Sequence, residues 1–176
     1  MKRKVVLYIS QSLDGFIAGS KGNVGWILGN DENYDSDYGY EAFIKEIDTV
    51  ILGATTYRQI VNELSPDKWV YENLQSYVLT SENLEDTPNI KFVNTSVKRL
   101  ISELQKADGK NIWICGGASL VNQCVKEDLI DEYQIATAPI ILGNGIRLFT
   151  ENDKSIKLKL KNIKEEEINF KVQNKL

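Results

Sequence analysis

Asn111-Ile112-Trp113-Ile114-Cys115-Gly116-Gly117-Ala118-Ser119-Leu120-Val121-Asn122-Gln123-Cys124-Val125 is the stretch whose reading decides the fold. It joins a short apolar run, Asn111 to Ile114, through a glycine pair to a helix-like segment, Ser119 to Glu127. A strand that ends in glycine and opens a helix lets the backbone approach a ligand closely. It also aims free N–H groups and positive potential at that ligand. The arrangement suits the diphosphate of a dinucleotide, although glycine also serves many strand-to-helix turns for geometry alone.

Working outward, similar runs recur. Lys4 to Ser10, Thr49 to Gly53, Ser76 to Thr80 and Ile90 to Val93 read as strands, and Val50-Ile51-Leu52 is apolar without alternation. Continuous apolar strands of this length belong to sheets covered on both faces. Between them, Tyr38 to Ile47, Thr56 to Leu64 and Val97 to Ala107 read as helices. Val97, Leu100, Ile101 and Leu104 have helical spacing, and Ser96 is placed to cap their helix. After Asp131 the pattern changes. Glu132 to Ala138 reads as a strand, Gly143-Asn144-Gly145 as a turn, and Lys157 to Lys161 alternates with period two before a last strand, Glu166 to Val172. The expected fold is α/β: one domain over 1–176, a mixed, mostly parallel sheet flanked by helices, with a C-terminal antiparallel hairpin.

Composition narrows the function classes. The chain has 176 residues, 42% of them hydrophobic, enough for one full core. Net charge is −4 and no basic block occurs that would track a nucleic-acid backbone. Apolar Val5 to Ile9, behind the basic start Met1-Lys2-Arg3-Lys4, is too short for a signal peptide core or a membrane span. Two cysteines, Cys115 and Cys124, make no disulfide framework, and a reducing cytoplasm is the expected setting. There is no histidine. That removes a histidine triad, any histidine metal site and histidine as a proton donor, and no metal site is expected.

Three further segments carry small or hydroxylated residues at expected strand ends. Gly53-Ala54-Thr55-Thr56-Tyr57 closes one strand and opens a helix. Leu79-Thr80-Ser81 closes another. Ser10-Gln11-Ser12-Leu13-Asp14-Gly15 follows the first and holds an Asp-Gly turn. Capping and turn chemistry explain each alone. Together they fit the rule that open α/β sheets bind ligands beyond the carboxyl ends of their strands. Neither GxGxxG after the first strand nor GxxxxGK[ST] is present, which sets aside an ordinary Rossmann domain and a P-loop.

These segments resemble the dihydrofolate reductase-like fold over nearly the whole chain. They are most similar to the C-terminal reductase domain of riboflavin-biosynthesis proteins, RibD. Ser12 to Ala18, Leu52 to Tyr57, Leu79 to Ser81 and Cys115 to Leu120 carry the likeness. Asp131-Glu132-Tyr133, Pro139 to Gly145 and Leu148-Phe149 point to the riboflavin branch. The resemblance implies an NADPH-dependent reductase of a pyrimidine or pteridine-like heterocycle, with 5-amino-6-(5-phosphoribosylamino)uracil one such substrate, and a homodimer. It implies that Gly116, Gly117, Ala118, Ser119 and Leu120 hold the diphosphate, with Ile114 and Cys115 also in the cofactor site. It puts Gly53, Thr55 and Thr56 at the adenosine-side phosphates, Leu79, Thr80 and Ser81 beside the adenine ribose, and Ser10, Ile17 and Ala18 near the nicotinamide. The family commonly has arginine after Gly53, paired with the 2′-phosphate. Here that residue is Ala54, with Arg58 one turn on, so NADH stays open beside NADPH. No lysine or arginine lies between Trp69 and Ile90, so folate is a poor substrate. Asp37 is the expected proton donor, with helix capping as its other reading, and Asp14 is a second candidate. A non-catalytic nucleotide-binding or dimerising module is the alternative to an enzyme.

Overall fold

Strands whose side chains are apolar on both faces need cover on both faces, and the chain supplies it in order. The structure, a computed structural model, describes residues 2–28, 37, 39–153 and 155–163. Among these the elements run β1 (Val5–Ser12), β2 (Phe16–Ala18), α1 (Tyr40–Ile44), β3 (Ile47–Gly53), α2 (Ala54–Gln59), β4 (Gln75–Leu79), β5 (Ile90–Val93), α3 (Val97–Leu104), β6 (Asn111–Gly116), α4 (Ala118–Lys126), β7 (Glu132–Ala138) and β8 (Ile146–Arg147). A π-helical turn, Ile60–Leu64, continues α2, and a 3-10 turn spans Gly25–Leu28.

Six strands form one sheet in the order β5-β4-β3-β6-β1-β7, and every pairing in it is parallel. Among the described residues, antiparallel pairing joins β2 to β8. Alternate residues of the central strands supply two cores. Val5, Leu7, Ile51, Ile112 and Ile114 face α3 and α4 and pack with Leu100, Val121 and Cys124. Val6, Val50, Leu52, Val78 and Trp113 face the other way and pack with Phe43 of α1 and Ile60. This period-two division puts a fully buried side chain at each of Val50, Ile51 and Leu52. Ser96 caps α3 as its position implied, its Oγ accepting the Arg99 N–H at 3.3 Å.

Several expectations shift. α1 is shorter than Tyr38 to Ile47, because Ile47 already belongs to β3, and Tyr38 lies outside the described residues. Lys157 to Lys161 is not a strand despite its alternation. Leu158 and Leu160 are 65% and 72% exposed, so among the described residues the apolar half of the pattern has no sheet against it. Its partner, Glu166 to Val172, lies outside the described residues. The β2–β8 pair was not foreseen, since two- and three-residue strands leave no periodicity. No helix among the described residues is long and apolar enough to cross a membrane.

The Asp-Gly turn after β1 is present, and Gly15 takes φ +84° there. Asp14 does more than turn the chain. One carboxylate oxygen accepts from the Ser12 hydroxyl at 2.6 Å and the Leu142 N–H at 3.1 Å, and the other from the Gly143 N–H at 2.8 Å. This ties the turn to the Pro139–Gly145 segment. Gly145 then passes so close to β2 that an added Cβ would lie 2.1 Å from the Ala18 carbonyl oxygen. The tie holds β8 beside β2.

The Ser12 hydroxyl, with the Gly143 and Leu142 amides, lowers the Asp14 carboxyl to about 2. A group depressed on folding stabilises above its unfolded pKa of about 4 and ceases to as pH falls through its folded value. We therefore expect the Leu142 and Gly143 amides to keep their hydrogen-exchange protection above about pH 4 and to lose it progressively toward pH 2. In Asp14→Asn these two amides should exchange faster throughout the range. Unchanged protection at low pH would show that the tie does not depend on this carboxylate.

Candidate functional site

Because the six strands are parallel, their carboxyl ends share one edge, and a cavity of about 870 Å³ opens there. Its floor combines Ser10 of β1, Gly53 at the end of β3, Leu79 of β4 and Cys115 of β6, with Gly117 beyond it. The pairing of β6 with β3 slips at this point. Ile51 pairs with Ile114, but Leu52 pairs with Gly116, so β6 carries an extra residue, Cys115, as it reaches the cavity. Gly116 follows with φ +130°, a conformation few side chains tolerate, and the Gly116–Gly117 peptide is cis.

Gly117 is the N-cap of α4 and provides no side-chain cap to the first turn. Gly53 holds the corresponding position before α2, also without a side-chain cap. The two glycines face one another. A Cβ on Gly53 would sit 3.8 Å from the Gly117 nitrogen, and one on Gly117 would press to 3.2 Å from Thr56 Oγ1. Only backbone and the Thr56 hydroxyl therefore border this gap. The N–H groups opening α4 need acceptors from outside the helix, and the helix dipole favours anionic ones. The residues present thus fit a dinucleotide's diphosphate.

A second compartment adjoins the cradle. Tyr8, Tyr71, Trp113 and Cys115 line it, with Val24 and Ile27 from the segment after β2. Tyr71 Oη lies 3.5 Å from Cys115 Sγ. Burial raises the Tyr71 hydroxyl well above the ordinary tyrosine value, aided by nearby Cys115. Burial pushes the Cys115 thiol up to about 11, and the bond to Tyr71 only partly offsets that. Both groups keep their protons at neutral pH, so Cys115 is not a thiolate nucleophile. The rings form a row across this face of the sheet. Phe92, Tyr57, Trp69, Tyr71, Trp113, Phe43 and Tyr8 succeed one another at centroid separations of 5.1, 5.7, 5.4, 5.0, 5.3 and 4.3 Å.

Most of the residues named from sequence meet here. Ser10, Ile17, Ala18, Gly53, Thr55, Thr56, Leu79, Cys115, Gly117, Ala118, Ser119 and Leu120 all line the cavity. Ile114 and Gly116 are buried behind its floor, and Thr80 and Ser81 stand beyond its lining. Asp37 lies at the start of α1. Its carboxylate accepts the Gly39 and Glu41 N–H groups at 2.7 and 2.8 Å, the residue is exposed, and it is not on the lining. Unsatisfied N–H groups at a helix start capture a short acceptor two residues upstream, so the capping reading holds. Asp14 likewise is a turn anchor. Among the described residues Glu63 is the one carboxylate on the lining. Tyr8, Tyr71, Trp113 and Gln59 were not anticipated. A tyrosine and a tryptophan inside Val/Ile/Leu strands, each two positions before a floor residue, were a usable signal. Tyr71 comes from an irregular segment and left none.

Comparison with known proteins agrees with this geometry. Residues 3–169 match the family model of the RibD C-terminal domain, and the chain belongs to that family. The Bacillus subtilis (strain 168) protein YwjB, itself uncharacterized, is 42% identical over 166 residues, covering 94% of this chain and 93% of its own. The crystal structure of a riboflavin biosynthesis protein from Shewanella sp. PV-4, a tentative assignment in its own description, superposes with a TM-score of 0.73 at 29% identity. That match covers 89% of this chain and 88% of the other. Schistosoma mansoni dihydrofolate reductase superposes at 0.58 with 14% identity, covering 90% and 88%, which establishes a shared fold.

Gly117→Val places methyl groups in the gap facing Thr56. Because Gly117 has φ −79°, the backbone itself accepts a side chain. We expect thermal stability close to that of the unsubstituted protein but dinucleotide affinity weaker by more than about tenfold, read by calorimetry. Unaltered affinity would remove the diphosphate from this cradle.

Proposed function

We propose that this chain, a member of the RibD C-terminal domain family, is a nicotinamide-dinucleotide-dependent reductase of a pyrimidine or pteridine-like heterocycle. One observation carries the reading: a side-chain-free cradle at the start of α4 shares a single cavity with a compartment walled by Tyr8, Tyr71 and Trp113. A diphosphate held over Gly117 would leave the aromatic side, where Tyr8 of β1 and Trp113 of β6 stand, to the nicotinamide and a flat substrate. Leu79 and Thr95, at the ends of β4 and β5, would then border the adenosine.

A bound dinucleotide supplies hydride. The chain's own residues do the rest. Ser10, Ile17 and Ala18 hold one face of the nicotinamide pocket, and Ile17, Ala18 and Ile146 bring the β2–β8 pair against it to exclude water. Tyr71 is the proposed donor to the substrate's acceptor atom. It lines the cavity, with its hydroxyl 3.5 Å from Cys115 Sγ. Lys21 on the wall is available to a phosphate tail, such as that of 5-amino-6-(5-phosphoribosylamino)uracil.

The test is binding followed by turnover. Because Trp113 lines the cavity, NADPH or NADH should change tryptophan emission, and addition of the heterocycle should consume the reduced cofactor at 340 nm. Tyr71→Phe should lower kcat about tenfold to a hundredfold and leave cofactor affinity unchanged, as loss of a positioned proton donor does. Binding without turnover on any pyrimidine or pteridine would favour a non-catalytic module.

A further inference from the structure

We infer that Arg58 is this chain's recognition group for the 2′-phosphate of a phosphorylated dinucleotide, and that Glu82 competes with that phosphate for it. The inference rests on the dinucleotide reading above. Among the described residues, two cationic side chains line the large cavity, Lys21 and Arg58. The turn that carries Lys21 reaches α2, where Gln59 donates to the Gly22 carbonyl at 2.7 Å. Lys21 follows β2, on the side of Ile17 and Ala18. Arg58 stands on α2, three residues after Thr55, and helical residues three apart share a face. An adenosine that passes Thr55 toward Leu79 and Thr95 therefore meets Arg58.

Arg58 is already occupied. Its Nη2 is paired with Glu82 Oε1. Glu82 does not line the large cavity. It lines a second one of about 360 Å³ on the far side of α2, which Arg58 also borders. The turn that presents Glu82 is fixed, since its N–H donates to Thr80 Oγ1 at 3.0 Å. The guanidinium thus stands between two anion positions, one in each cavity.

Both partners are half exposed, 47% and 51%, so water competes for the pair and its net attraction is weak. A phosphate dianion, which a guanidinium binds in a two-pronged, charge-assisted way, outcompetes a solvated carboxylate. A carboxylate near the ribose favours the 2′-hydroxyl, whereas an arginine favours the 2′-phosphate. This chain has both, bonded to each other. Discrimination between NADPH and NADH is then a competition, in which Glu82 lowers but does not cancel the preference that Arg58 gives the phosphorylated dinucleotide.

The test measures binding of NADPH, NADH, 2′,5′-ADP and 5′-AMP by calorimetry, without turnover. Arg58→Gln should weaken NADPH and 2′,5′-ADP about tenfold and leave NADH and 5′-AMP within about twofold. Glu82→Gln should tighten NADPH and 2′,5′-ADP about threefold to tenfold, again sparing the other two. In the double variant the gain should vanish. Equal loss of NADPH and NADH in Arg58→Gln, or an unchanged ratio in Glu82→Gln, overturns the assignment. Should the unsubstituted protein bind neither dinucleotide, the cofactor reading itself fails, and the NADH arm distinguishes that outcome from failure of the selectivity argument alone.

Discussion

Parallel pairing of β1, β6 and β3 is the constraint on which everything else depends. Leu7 and Ile51 both stand in register with Ile114, from opposite sides of β6. Three strands locked in that register deliver Ser10, Gly53 and Cys115 to one edge of the sheet. In an antiparallel arrangement alternate strands would end at opposite edges, and no such floor would form. The register is held by burial. Val5, Leu7, Val50, Ile51, Leu52, Ile112 and Ile114 are all almost wholly removed from water, and a slip of one residue would turn each to the opposite core.

The same sheet separates two kinds of chemistry. The buried residues of one core, under α3 and α4, are aliphatic apart from Cys124, with Tyr77 and Tyr133 packed at its margin. The other gathers Phe43, Trp113, Tyr8, Tyr40, Tyr57 and Tyr71. β6 divides its residues between them, sending Ile112 and Ile114 to the first and Trp113 to the second. The extra residue at Cys115 lets the strand end in a glycine turn while Trp113 and Cys115 still line the cavity. Sheet stability and cavity lining are therefore set by alternate side chains of one short segment.

The fold was largely legible because its main elements are local. Apolar runs marked five of the six large-sheet strands ahead of Asp131 and Glu132 to Ala138 marked β7, while spacing and Ser96 marked α3. The cradle was legible for the same reason: glycine pairs and hydroxyls at strand ends have a backbone meaning that sequence carries. The aromatic wall was harder to read. Tyr71 reaches Cys115 across 44 positions, from a segment without periodicity, and only tertiary packing brings them together. Asp37 shows the converse. An acid beside an acidic loop reads in sequence as a helix cap or as a proton donor, and the Gly39 and Glu41 amides engage its carboxylate. Lys157 to Lys161 shows that alternation alone is insufficient, because a two-faced strand needs an apolar surface to lie against.

The row of rings from Phe92 to Tyr8 also has an optical consequence. Neighbouring chromophores at these separations exchange excitation far faster than they radiate, so light absorbed by any tyrosine in the row reaches an indole first. Trp113 and Trp69 belong to that row, whereas the third indole, Trp26, donates instead to the Asn23 carbonyl. The tilted, coupled rings also make the near-ultraviolet dichroism of this chain a collective property of one sheet face rather than a sum over separate residues.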